Sequence, residues 1–197
     1  MWPWEHVLFA YVFYSLYVHA RYRHSPGDRP VALLAFASVL PDVVDKPLAW
    51  QFELFETGWG IAHSVFVAVP VSVLVYAIAR RRGHAEIGVA FGVGYLLHLV
   101  GDVVPASLSR NALYLHPVLW PFGNPTTRHS HGSFVDGVRT HLMEYAAQLL
   151  ALDVTPVVAL QLGSVVLGVG LWLYDGRPGL GLITDPMCRT LGSLRSR

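Results

Sequence analysis

Five stretches of this chain that contain no Asp, Glu, Lys or Arg read as membrane segments: residues 6–20, 30–41, 57–79, 87–101 and 154–174. The third and fifth approach the roughly 20 residues that cross the hydrocarbon of a bilayer, and the fourth does so when Asp102 to Val104 extend it. The first two are short, and a short span must thin the bilayer around it or sit partly inside a bundle. Composition agrees with a lipid setting. Hydrophobic residues make up 53% of the chain and charged residues 14%, against about 25% charged in an ordinary soluble domain. The mean hydropathy is +0.44. The expectation is an all-α integral membrane bundle of about five transmembrane helices, forming one domain over 1–197.

Turn residues separate the runs. Ser-Pro-Gly-Asp at 25–28 is a turn, Arg80 to Gly83 stop the third helix, and Thr155-Pro156 suit an N-cap followed by a first-turn proline. Residues 105–153 form the one long connection, irregular in its first half, where Pro105, Pro117, Pro121 and Pro125 fall. In the second half Phe134, Val138, Leu142, Tyr145, Leu149 and Leu152 follow helical spacing. They predict an amphipathic helix packed on its neighbours or lying on the bilayer. The N-terminus MWPWEHVLFAYVFYSLYVHA lacks a basic leader and a small-residue cleavage site, so it reads as a retained first membrane helix. The single Cys188 excludes an internal disulfide and a cysteine metal cluster, and a net charge of +1 gives no reason to expect nucleic acid.

Basic residues set the expected orientation. Arg21, Arg23 and Arg29, then Arg80, Arg81 and Arg82, then Arg177, Arg189, Arg195 and Arg197 fall on one side of an alternating five-helix path. Lys46, Arg110, Arg128 and Arg139 are spread over the longer opposite segments. The expected arrangement is a multi-pass cell-membrane protein, N-terminus outside, with a cytoplasmic tail over 175–197.

Under that topology the ionisable residues at helix ends gather on the outer face. His6 opens the first helix, Asp42 and Asp45 follow the second in SVLPDVVDKP, His63 opens the third in GIAHSVF, and His98 and Asp102 close the fourth in GYLLHLVGD. Any one of them has a bland explanation: a helix cap, a wet interfacial histidine, a carboxylate in headgroup water. That explanation must be repeated for every member of the set, although an ionisable group in lipid costs about 2.5 kcal/mol or more.

Imidazole with carboxylate is the ligand chemistry of zinc, manganese or iron, and a divalent metal, zinc foremost, is the expected cofactor. Asp42-x-x-Asp45 and His98-x-x-x-Asp102 each bring two groups within one helical turn. His6, Asp42, His63, His98 and Asp102 are the candidate metal ligands, and Asp45 and Asp102 the candidate catalytic carboxylates. The set exceeds the three or four protein ligands of one zinc, so either two ions bind or some members orient the others. Such a centre activates water near neutral pH, which is the chemistry of hydrolysis.

The same letters resemble a known family. WEH at 4–6, LPDVVD at 40–45, AHS at 62–64, GYLLHLVGD at 94–102 and HPVLWPFG at 116–123 are similar to elements of the membrane-bound metal-dependent hydrolases typified by the YdjM inner-membrane protein. Those elements are an N-terminal histidine, an LPD-x-D element, a histidine-serine pair, a G-Y-x-x-H-x-x-x-D helix and a Pro-Leu-Trp-Pro-like loop. Two departures stand out. The carboxylates are spaced D-x-x-D, and Gly60, Ile61 and Ala62 stand where the family's HRG-x-THS carries arginine and threonine. A phosphate contact by that arginine is therefore not implied here. The resemblance implies a metal-dependent membrane hydrolase, with a more distant likeness to helical zinc-dependent phospholipases.

The expected substrate is a lipid-like molecule or phosphate ester arriving from the membrane. Transport through a proton or ion relay, and a non-catalytic membrane scaffold, are the rival classes. TTRHSHGSF at 126–134 adds His129, His131, Arg128, Ser130 and Ser133 as a loop that closes over the centre or is simply solvated. Gly163, Ser164, Gly168 and Gly170 permit close helix contact, within this chain or in a homo-oligomer.

Overall fold

The computed structural model describes residues 1–55, 57–123, 134–150 and 155–182. The histidine-rich segment with Arg128, His129, Ser130, His131 and Ser133, as well as Leu152, Cys188 and the last arginines, lies outside the described residues. Among the described residues the fold is all-helical, with α1 Pro3–Tyr22, α2 Asp28–Trp50, α3 Val65–Arg81, α4 Ala85–Arg110, α5 Phe134–Leu150 and α6 Pro156–Tyr174. A single 3-10 turn, His116–Val118, interrupts the connection after α4.

The helix ends follow from local chemistry. Thr155 Oγ1 accepts from Val158 N (3.2 Å) and Pro156 opens α6, as the Thr-Pro pair predicts. Ser64 Oγ caps α3 by accepting from Phe66 N (3.3 Å). Asn111, at φ 50°, ends α4 in the left-handed conformation that asparagine tolerates.

The centre of the bundle is α4, which packs against α1, α2 and α3, while α6 lies chiefly along α1. Its glycines make these crossings close. A Cβ on Gly94 would stand 2.5 Å from the Leu34 carbonyl oxygen of α2, and one on Gly88 would stand 2.7 Å from the Tyr76 Cα of α3. Gly168 of α6 is likewise pressed on Leu8 of α1, so that small residue serves a contact within the chain; Gly163 and Gly170 meet no described atom within 4 Å.

Among the described residues two helices, α4 and α6, are long and apolar enough to cross a membrane. The expectation of five such helices is corrected, and the reasons are local. At 17 residues α3 is short, because 57–64 fold as a loop rather than as its first turns. The long helix α2 carries Asp28, Arg29, Asp42, Asp45 and Lys46 along its 23 residues. The bundle nonetheless turns apolar surface outward. Val166 (70%), Leu167 (59%), Val73 (61%) and Leu74 (59%) are exposed large hydrophobics on α6 and α3. Apolar faces of that extent on a stable helical bundle need lipid or protein against them.

The amphipathic helix expected in the long connection is α5. Its Gly137 sits so close to Trp50 that a Cβ would approach the indole at 2.6 Å, and Tyr145 Oη donates to Glu5 Oε1 (2.7 Å). It therefore rests on the ends of α1 and α2, over the side of the bundle that carries the ionisable cluster.

Candidate metal centre

Three helices and one loop deliver the cluster. His6 comes from the first turns of α1, Asp42 and Asp45 from the second half of α2, His63 from the loop just before α3, and His98 and Asp102 from one face of α4. His6, Asp45, His63 and His98 are fully buried and Asp42 is 6% exposed.

The loop before α3 is built around Asp45. Its carboxylate accepts from the backbone N–H groups of Gly60 (2.9 Å), Ala62 (3.1 Å) and His63 (2.9 Å), and from His63 Nδ1 (2.8 Å). Gly60 has no room for a Cβ, which would stand 2.7 Å from the Phe55 ring. Ser64 ties the next loop in by donating to the Trp120 carbonyl (2.6 Å), placing HPVLWPFG beside the histidine-serine pair.

The proton positions on the two central histidines follow from their partners. A carboxylate and a carbonyl only accept, so His63 Nδ1 carries a hydrogen toward Asp45, and His98 Nδ1 carries one toward the Ser38 carbonyl (2.6 Å). In neutral imidazoles each Nε2 then presents a lone pair. Yet His63 Nε2 and His98 Nε2 are 3.1 Å apart. Two lone pairs at that separation repel unless a proton or a metal cation lies between them.

Two carboxylate oxygens complete the arrangement. Asp42 Oδ1 is 3.4 Å from His63 Nε2 and 3.7 Å from His98 Nε2; Asp102 Oδ2 is 3.5 Å and 3.8 Å from the same atoms. A tetrahedron whose vertices lie about 2.0–2.1 Å from its centre, as zinc-bound nitrogen and oxygen do, has edges of about 3.3–3.4 Å. The five distances, 3.1 to 3.8 Å, bracket that value. Asp42, His63 and His98 form one group of donors close enough to share a divalent cation, and His6, His98 and Asp102 form another.

The remaining expected residues lie one step out. The His6 ring stacks on His98 with centroids 3.8 Å apart, and its Nε2 is 3.2 Å from Asp102 Oδ1, the oxygen turned away from the histidine pair. Neither His6 ring nitrogen makes a hydrogen bond of good geometry, although the ring is fully buried. Gly101 provides its place, since a Cβ there would stand 2.8 Å from His6 Nδ1. The structure thus brings His6, Asp42, Asp45, His63, His98 and Asp102 into one cluster, in which two groups, Asp42 with His63 and His98, and His6 with His98 and Asp102, could hold a metal ion.

Sequence reasoning missed three contributors. Trp59 Nε1 donates to Asp102 Oδ2 (3.2 Å), Lys46 Nζ pairs with Asp42 Oδ2 (2.7 Å), and the Ser38 carbonyl orients His98. Lys46 was legible in principle, because a lysine four residues after Asp42 on a helix falls beside it. Gln161, conspicuous in an apolar helix, donates to Glu5 Oε2 (3.0 Å).

At the other end of the bundle is a second polar group. Asp175 Oδ2 accepts from Tyr11 Oη and Ser15 Oγ, both at 2.6 Å, and Asp175 Oδ1 is 2.6 Å from His19 Nε2.

Compared with known families, the chain matches that of the YdjM inner membrane protein over residues 1–177. No curated protein and no solved structure shows significant similarity to it.

Proposed function

The chain belongs to the YdjM inner membrane protein family, and within it we propose a metal-dependent hydrolase, holding zinc between Asp42, His63 and His98 with a fourth position open toward Asp102. The observation that carries this is the facing pair of Nε2 atoms, 3.1 Å apart, on rings whose Nδ1 atoms are already committed as donors. A divalent cation in such a donor set supplies Lewis acidity and lowers the pKa of water toward neutrality.

The chain's own groups divide the remaining work. Asp45 fixes the tautomer and tilt of His63, and the Ser38 carbonyl does the same for His98. With four donors on its two oxygens, Asp45 is an orienting group rather than a general base. Asp102 faces an adjoining cleft, with Trp59 on one oxygen and His6 and the Met1 amino group (3.3 Å) on the other, so it is the carboxylate that water entering there meets. The substrate is a lipid-like or phosphate ester, which reaches a membrane-level site without leaving the bilayer.

A specific observation bears on transport. The Asp175 group gives α1 ionisable partners at both ends, as a relay requires, but the layer between them is packed with Ala10, Val18, Leu34 and Ala90. That dry layer favours two separate sites.

The test is metal analysis of the full chain purified without chelator, alongside hydrolysis of chromogenic phosphate and carboxylate esters. Zinc near one per chain, lost in His63→Ala with His98→Ala, and metal-dependent turnover are expected. Absence of any bound transition metal after zinc loading overturns the proposal.

A further inference from the structure

Beside the metal centre lies a cleft of about 700 Å³, walled by the start of α1, the second half of α2, the loop around Trp59, and α5. Asp42 and Asp102 both line it, so its contents meet the centre directly. Most of its wall is apolar: Val39, Val43, Trp50, Trp59, Phe134 and Val138. Val43 is 63% exposed, which marks where the cleft reaches the surface of the bundle.

Lys46 breaks the apolar lining. It is the only lysine or arginine among the described residues that line the cleft. Its Nζ sits 2.7 Å from Asp42 Oδ2 and 5.8 Å from the centroid of the Trp50 ring. An ammonium has three donors, and its ion pair with Asp42 leaves hydrogens for a ligand. Glu144, the acidic group on the facing wall, is turned to His141 at 3.3 Å.

We propose that this cleft binds a single-chain amphiphile with a phosphate-type head, Lys46 pairing with the head and the tryptophan-lined wall taking the chain. A volume near 700 Å³ falls in the range that encloses one drug-sized ligand, which suits one chain rather than a whole two-chain lipid. The head is set by charge and by position. Lys46 and the histidine pair contact opposite oxygens of the same Asp42 carboxylate, so an anion on Lys46 lies beside the centre. A tetrahedral anion has oxygens for both, whereas a neutral head offers the ammonium no second charge beside Asp42.

The fate of the ligand rests on the hydrolase proposal, but its binding does not. The full chain is loaded with zinc in phosphatidylcholine nanodiscs and titrated with decylphosphonate or decanol, following tryptophan fluorescence and measuring zinc on the same samples. The phosphonate is expected to bind more tightly than decanol by about tenfold or more. Lys46→Met removes about tenfold from that ratio, Lys46→Arg keeps most of it, and Val43→Trp weakens both ligands by filling the cleft. Equal binding of the two ligands to the native chain, or an unchanged ratio in zinc-loaded Lys46→Met, overturns the inference. Retained phosphonate selectivity with no ester hydrolysed would remove the hydrolase proposal and leave this one standing.

Discussion

His63 and His98 meet through their Nε2 atoms at 3.1 Å, each ring anchored from behind through Nδ1. Without a cation this contact requires an extra proton on one ring or a separation of the two. Metal removal should therefore destabilise the bundle at neutral pH. A ligand present at about 100 times its Kd stabilises by about 2.7 kcal/mol, so chelation should lower the melting temperature of the detergent-solubilised protein by several degrees. Zinc should restore it, and His63→Ala with His98→Ala should abolish the response. A melting curve indifferent to chelator in the native chain would count against the centre.

Asp45 combines a buried charge with the folding of the 57–64 loop. Asp45→Asn keeps the shape but replaces one acceptor oxygen with an N–H₂ group that faces N–H donors. Breaking a buried charged contact in this way costs about 3 kcal/mol or more. Chemical denaturation should show that loss, and zinc occupancy should fall with it because His63 loses its orienting partner. Asp45→Asn with native stability and native zinc content would show that the carboxylate is dispensable.

Gly101→Ala tests His6 without touching either residue of its pair with Asp102. The new methyl would stand 2.8 Å from His6 Nδ1 and 3.1 Å from Cε1, so the ring must move off Asp102. Losing such an outer partner typically lowers metal affinity by about 10- to 100-fold. Competition with a calibrated zinc chelator should read that change, while helix content by circular dichroism stays close to native.

The candidate cluster was visible in the sequence because its members are polar letters in apolar runs, and such exceptions in a membrane chain call for a reason. Their division of labour was not visible. That Asp45 is an orienting group depends on backbone N–H groups 15 to 18 residues away, and backbone donors leave no mark in a letter code. The uncharged run 57–79 looked like one helix, yet Thr57, Gly58 and Gly60 are the turn-forming signals of the loop that wraps Asp45, and the helix starts only at Val65. The stripe of α5 was legible at Phe134, Val138 and Tyr145, but not that Trp50 and Glu5 receive it. Gln161 stood out as polar, while its partner Glu5 lies 156 residues earlier in the chain.

The last prediction concerns the far end of α1, where Asp175, just past α6, locks that helix in place. Burial pushes the Asp175 carboxyl up, but hydrogen bonds from Ser15, Tyr11 and His19 outweigh it and hold the group below its ordinary value. The folded chain therefore takes up this proton less readily than the unfolded one. The stabilisation is complete above the ordinary aspartate value near about 3.9 and is lost as pH falls through the lower folded value. Asp175→Asn removes the charged acceptor from three donors and should cost about 1–3 kcal/mol at pH 7. The variant should also flatten the acid limb of the stability curve below roughly pH 4. Denaturant midpoints for both proteins between neutral and acidic pH measure the two effects, and identical midpoints at neutral pH would show that Asp175 does not hold α6 against α1.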